Sequence, residues 1–142
     1  MVSACLVGLR CAYDGGDRSD PRAESLLRAG HVLPLCPEQM GGLPTPRPAA
    51  EITGGDGAAV LDAAARVLTA AGEDVTAAFL RGAQEAVRLA QAVGAGAALL
   101  RAGSPACGAG WIHDGSFTGR LTAGDGVAAA ALRRLGLKLE ST

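Results

Sequence analysis

Three short apolar runs in this chain each lead into a cysteine, and that pattern constrains the fold more than any other. Val2-Ser3-Ala4-Cys5-Leu6 opens the chain, and His31-Val32-Leu33-Pro34-Leu35 runs into Cys36. Ala97-Ala98-Leu99-Leu100 is followed by Ser104-Pro105-Ala106-Cys107-Gly108-Ala109-Gly110. Short uninterrupted apolar runs are what strands buried on both faces look like, as in parallel sheets. A strand that gives way to small residues, a proline and a cysteine puts a thiol on a loop at the carboxyl edge of the sheet. Open α/β sheets bind their ligands at that edge. Three thiols on three strand ends are placed to converge on one point.

The intervening sequence supports this arrangement. After a first strand over 2–6, residues 8–17 hold Cys11 and the turn-forming Tyr13-Asp14-Gly15-Gly16. A helix is expected from Asp20 to Arg28, with Pro21 at its first position and Gly30 past its end. That helix makes strands 2–6 and 31–35 a βαβ unit with a parallel pair. Residues 41–48 hold Pro44, Pro46 and Pro48, which remove donors, so the segment is a semi-rigid loop. Residues 49–70 read as a small β excursion, with arms at 49–52 and 65–68 around Gly54-Gly55-Asp56-Gly57. The alanines of 58–65 suit a helix equally well.

From Asp74 to Val93, Phe79, Leu80, Ala83, Val87 and Ala90 fall on one side of a helix and Arg81, Glu85, Arg88 and Gln91 on another. Asp74 is the expected cap, Gly94 the stop, and Arg81 with Glu85 a surface pair. A strand at 97–101 and the Cys107 loop come next, then a turn-rich stretch to Thr122. A last helix over 127–135 is capped by Asp125 or Thr122 and ended by Gly136, and Leu137-Lys138-Leu139 alternates as a final strand. The expected fold is one α/β domain over 1–142, a mainly parallel, Rossmann-like sheet flanked by helices.

Composition narrows the function. With 142 residues the chain builds a single core. Its 13 basic and 14 acidic side chains leave no basic stripe for a nucleic-acid polymer, so a small molecule is the expected partner of a monomer or homodimer. No window approaches the roughly 20 apolar residues of a membrane span, and the start lacks the positive charge of a secretory leader. A soluble cytoplasmic protein is expected, a setting where cysteine clusters mean metal or catalysis more often than disulfides. The glycines around Asp56 lack the Gly-Lys-Ser/Thr ending of a phosphate loop and read as a turn.

Cysteines stand at 5, 11, 36 and 107, and none forms Cys-x-x-Cys, so neither a zinc ribbon nor a thioredoxin-type pair is signalled. Buried cysteines can act simply as small hydrophobes. Against that, Pro37, Pro105 and Gly108 mark loop positions, where a thiol that only packs has no need of such neighbours. Three readings stay open: a catalytic metal site, a thiol redox enzyme using Cys5 with Cys11 or Cys107, and a noncatalytic zinc or iron–sulfur module closed by Cys11.

Val2-Ser3-Ala4-Cys5-Leu6, Tyr13-Asp14-Gly15-Gly16, Cys36-Pro37-Glu38, residues 41–47, Gly72-Glu73-Asp74-Val75-Thr76 and Ser104-Pro105-Ala106-Cys107-Gly108 together resemble the blocks of the thiouracil desulfidases, in the same order and over residues 2–137. The resemblance implies a [4Fe–4S] cluster held by Cys5, Cys36 and Cys107, with one iron open to the sulfur of a thiolated pyrimidine. It implies release of sulfide without net redox change. Cys11 is not expected to be a ligand and should be more remote. Ala106 departs from the small polar residue more usual there.

Within that reading Glu38 is the expected general acid/base, because a carboxyl beside a partly enclosed apolar site has a raised pKa; the alternative is a solvated or capping glutamate. Ser104 is a candidate to hydrogen-bond substrate or a cluster sulfur, or else forms the turn before Pro105. Ser3 and Asp14 are further candidates of that kind. Thr45 and Arg47, on the proline loop, are candidates to hold a phosphate if the substrate is a nucleotide. His31 and His113 receive no role.

Overall fold

The computed structural model describes residues 1–142. Its elements are β1 (Val2–Ser3), α1 (Pro21–Arg28), β2 (Pro34–Leu35), α2 (Pro37–Met40), β3 (Ala50–Thr53), α3 (Gly57–Leu61), β4 (Arg66–Thr69), α4 (Thr76–Ala92), β5 (Ala97–Leu100), β6 (Trp111–His113), β7 (Leu121–Ala123), α5 (Val127–Arg134) and β8 (Lys138–Ser141). The central sheet has the order β2-β1-β5-β8 and every pairing in it is parallel. No helix is long and apolar enough to cross a membrane.

Adjacent residues of a strand face opposite sides, and here each side finds its own helices. Met1, Leu35, Ala98 and Leu100 join the larger core with Phe79, Ala83, Ala86 and Ala90 of α4 and Val127, Ala128, Ala129 and Leu132 of α5. Val2 and Leu99 turn the other way, onto Leu6 and Ala23 of the α1 side. The sheet is therefore buried on both faces, as its unbroken apolar runs require.

Two expected strands are shorter than the sequence suggests. Residues 4–7 tighten into a 3-10 turn ended by Gly8 at φ 86°, a left-handed conformation that glycine adopts without strain. Cys5 thus sits on a turn and not on a strand. On the other side, His31–Leu33 leave α1 as its cap, and only Pro34–Leu35 pair with β1. Pro34 has no amide to donate, which the edge position of β2 tolerates.

The excursion at 49–70 uses both of its open readings. β3 and β4 form an antiparallel pair, Glu51 opposite Leu68, and α3 lies between them with Asp56 capping it through Oδ1 to the Ala59 amide at 3.0 Å. The turn-rich stretch after Cys107 instead holds a hairpin, β6 with β7. α4 begins at Thr76, where Asp74 accepts the Thr76 amide at 2.9 Å. Arg81 does not pair with Glu85: it donates twice to the Gly41 carbonyl, at 3.2 and 2.9 Å, and Glu85 takes Arg88.

Candidate metal centre and its cavity

β1 has β2 on one side and β5 on the other, so the connections leave it in opposite directions and open a crevice at the carboxyl ends of these strands. A cavity of about 370 Å³ occupies that crevice. Cys5, Cys11, Cys36 and Cys107 all line it, and all four are free thiols.

Each thiol is held by a different device. Cys5 rides the 3-10 turn after β1. Cys36 ends β2 and precedes α2, which lies against α4 with no side chain between them: a Cβ on Gly82 would stand 1.9 Å from the Pro37 carbonyl oxygen, and one on Gly41 2.0 Å from that of Ala78. Cys107 sits in a loop that serves as the N-terminal cap of α5. The first amides of that helix have no intrahelical partner. Gly126 donates to the Gly108 carbonyl at 2.7 Å, Val127 to Pro105 at 2.8 Å, and Ala128 and Ala129 to Ala106 at 3.0 and 3.1 Å. The cap is therefore backbone, not the expected Asp125 or Thr122 side chain. Asp125 works beside it, accepting the Gly110 amide at 2.7 Å and Arg133 Nε at 2.5 Å. Ala106, where a polar residue was the expected pattern, is buried in the main core.

Cys11 is a correction to the sequence reading. Its thiol is not remote: it takes a hydrogen bond from Cys36 and gives one to Cys5. A chain folded back through Tyr13-Asp14-Gly15-Gly16 returns Cys11 to the first turn, which separation in sequence conceals. The Cys11 hydrogen bond holds the Cys5 thiol below its ordinary value. Its contact with Cys11, and then burial, push Cys36 up. For Cys11 the Cys36 bond works downward, but the bond to Cys5 and burial outweigh it and leave the thiol at about 11. Burial pushes Cys107 up to about 12, with Ser3 hydrogen-bonded to it working the other way.

Glu38 lines the cavity and rests on Arg47, whose Nε lies 2.6 Å from Glu38 Oε2. Its Oε1 has no protein partner. The Arg47 side chain is only 3% exposed, and Nη1 also donates to the Pro44 carbonyl and Thr45 Oγ1 while Nη2 donates to the Cys11 carbonyl. These bonds commit the guanidinium, which corrects its phosphate role: Arg47 ties Glu38, the proline loop and Cys11 together. Thr45 lies outside the cavity lining, accepting from Arg47 and Gln39. Asp14 is outside it too, exposed and paired with Arg18 at 2.7 Å.

Ser104 lines the cavity, and its Oγ accepts the Ala106 and Cys107 amides at 3.1 and 3.0 Å. It forms the turn that carries Cys107 and still has its hydroxyl proton to give. Ser3, almost fully buried, accepts the Arg101 amide at 3.0 Å and so ties β1 to β5 at the crevice. Sequence reasoning passed over Glu51, Arg101, His113 and Phe117, which also line the cavity. The one available signal was a glutamate inside the apolar arm of β3.

No three of the His, Cys, Asp and Glu side chains are grouped as ligands of one metal ion. The thiols border a cavity, and thiolates on three strand ends are the soft donor set of an iron–sulfur cluster. The donors fit that group, with their protons displaced on binding.

The comparisons agree with this geometry. A protein of Bacillus subtilis (strain 168), known as uncharacterized protein YbbK, is 40% identical over 141 residues, covering 99% of this chain and 93% of that protein. A solved structure described as the [4Fe-4S]-dependent thiouracil desulfidase TudS is 44% identical, superimposes with a TM-score of 0.85, and covers 99% of this chain and 87% of its own. The 2-thiouracil desulfurase family profile matches residues 1–142. With thiols, sheet order and length all in that pattern, the chain belongs to the 2-thiouracil desulfurase family.

Proposed function

We propose that a thiolated pyrimidine binds in the cavity beside Cys5, Cys36 and Cys107 and loses its sulfur there. The activity is iron–sulfur-dependent desulfuration of thiouracil. Water adds to the thiocarbonyl carbon, the carbon–sulfur bond breaks, and sulfide leaves with the oxo pyrimidine remaining; no electrons are gained or lost overall. Cys5, Cys36 and Cys107 would hold the [4Fe–4S] cluster, which supplies an iron without a protein ligand as a Lewis acid for sulfur.

The chain's own groups handle the proton and the orientation. Glu38, fixed by Arg47 through one oxygen, has the other free to take the proton of the attacking water. Ser104 has its hydroxyl proton to donate to the substrate, since its oxygen is already anchored by two amides. Four reduced thiols suit a reducing compartment, and we place the protein in the cytoplasm.

What carries the reading is the arrangement of three free thiols and Glu38 around one cavity at the switch between β1 and β5. Anaerobically reconstituted protein should release sulfide from 2-thiouracil. Cys5→Ser, Cys36→Ser and Cys107→Ser should lose iron and activity together. Glu38→Gln should keep its iron while activity falls on the order of 10²-fold, the scale for a general acid–base group; full activity there overturns the proton role. One observation favours a second reading: the Cys11 thiol touches both Cys5 and Cys36. If Cys11→Ser loses iron, the cluster is closed by four cysteines and the catalytic reading fails.

A further inference from the structure

Opposite the proton carrier, the cavity has a wall to which the desulfuration chemistry gives no task. It consists of Glu51 on β3 with His113 and Phe117 of the β6–β7 hairpin. Glu51 is only 7% exposed. A buried carboxylate ordinarily has a cation or several donors around it. This one has a single protein partner, the Phe117 amide, 3.0 Å from Oε2. No arginine, lysine or hydroxyl reaches it, and Oε1 is unmatched.

The wall is built to hold that arrangement. The loop after β6 presses on β3 so closely that a Cβ on Gly115 would stand 2.6 Å from the Ile52 carbonyl oxygen. Phe117 has φ 57°, a left-handed conformation that non-glycine residues adopt only when their surroundings impose it. That conformation aims its amide at Glu51. Beside it, His113 Nδ1 is buried without any hydrogen-bond partner, a second polar atom left for something other than protein. Buried polar groups in native structures are otherwise paired.

We propose that Glu51 is the specificity-determining residue of this site, its free carboxylate oxygen accepting a hydrogen bond from a ring N–H of the pyrimidine. The substrate class is then a cyclic thioamide with a ring N–H beside the carbonyl, as in thiouracils, and rings presenting an acceptor at that position are excluded by lone-pair opposition. The inference rests on the desulfuration reading for the identity of the ring.

The test uses cluster-loaded protein and two stable probes, uracil (the oxo product, ring N–H as donor) and cytosine (ring nitrogen as acceptor), with dissociation constants measured by calorimetry. Wild type should prefer uracil by about 10–100-fold, the worth of one hydrogen bond to a charged group. In Glu51→Gln the amide oxygen stays on the Phe117 N–H, so the amide NH2 faces the ring; uracil weakens and the preference falls to within about 3-fold. A merely structural role would weaken both probes equally, and an unchanged ratio or no preference in wild type overturns the proposal. Wild type alone gives a second check that needs no variant, since it should bind uracil at least about 10-fold more tightly than 1,3-dimethyluracil; equal binding also overturns it. If these preferences hold but 2-thiouracil yields no sulfide, the desulfuration reading fails and the role of Glu51 stands.

Discussion

Replacing Gly82 by alanine tests how the cavity is held open. Gly82 lies inside α4, where alanine is ordinarily the better residue by about 0.5–1 kcal/mol. Here the added Cβ would meet the Pro37 carbonyl oxygen at 1.9 Å. Reaching the 3.4 Å of ordinary contact moves α2 about 1.5 Å away from α4. Overpacking of this kind costs about 1–3 kcal/mol, more than the helix gain. α2 carries Glu38 and follows directly on Cys36, so the site moves with it. A misplacement near 1 Å can lower a rate on the order of 10²-fold.

We expect Gly82→Ala to lower the denaturant midpoint with an unchanged slope, and to reduce both iron content and sulfide release. Gly96→Ala is the control: nothing lies within 4 Å of its would-be Cβ. A Gly82→Ala protein as stable and as active as the Gly96→Ala protein would show that the seam between α2 and α4 does not set the site.

Arg47→Ala should lower stability by about 3–5 kcal/mol, because it leaves the Glu38 carboxylate facing the core without its partner; equilibrium unfolding in urea checks this, and a loss below about 1 kcal/mol would contradict the fourfold anchoring described for Arg47. Burial opposes the charge of Asp125, yet Arg133 and the Gly110 amide hold its carboxyl below the ordinary value of 3.8. A carboxyl depressed on folding stabilises above its unfolded pKa, and that contribution fades as pH falls through the folded one. The acid limb of the stability curve below pH 3.8 should therefore be shallower in Asp125→Asn, as followed by thermal melting in a pH series; identical limbs would remove Asp125 from the account.

Local signals made much of this molecule legible. Cys5, Cys36 and Cys107 announced themselves because each follows its apolar run within a few residues, and the βαβ order then fixes the edge they share. α1 was readable from Asp20, Pro21 and Gly30, which act within one turn, and Asp20 does accept the Arg22 and Ala23 amides. Long-range pairings were not readable. Arg47 on a proline loop looked like a surface cation, since nothing nearby in sequence shows that Pro44, Glu38 and Cys11 all offer it acceptors. Cys11 looked distant for the same reason. The β6–β7 hairpin was missed because its connection relies on Gly115, Phe117 and Gly119 at positive φ, and Phe117 is not a residue from which that conformation is expected.

The three ligand candidates belong to three separate packing units: the first turn beyond β1, the glycine seam of α2 with α4, and the backbone cap of α5. Anything bound by all three thiols therefore rivets together parts of the chain that otherwise meet only through the core. Part of the free energy of metal binding becomes resistance to unfolding. Iron supply would then govern the lifetime of the polypeptide as well as its turnover, and the emptied form would be the one exposed to proteolysis.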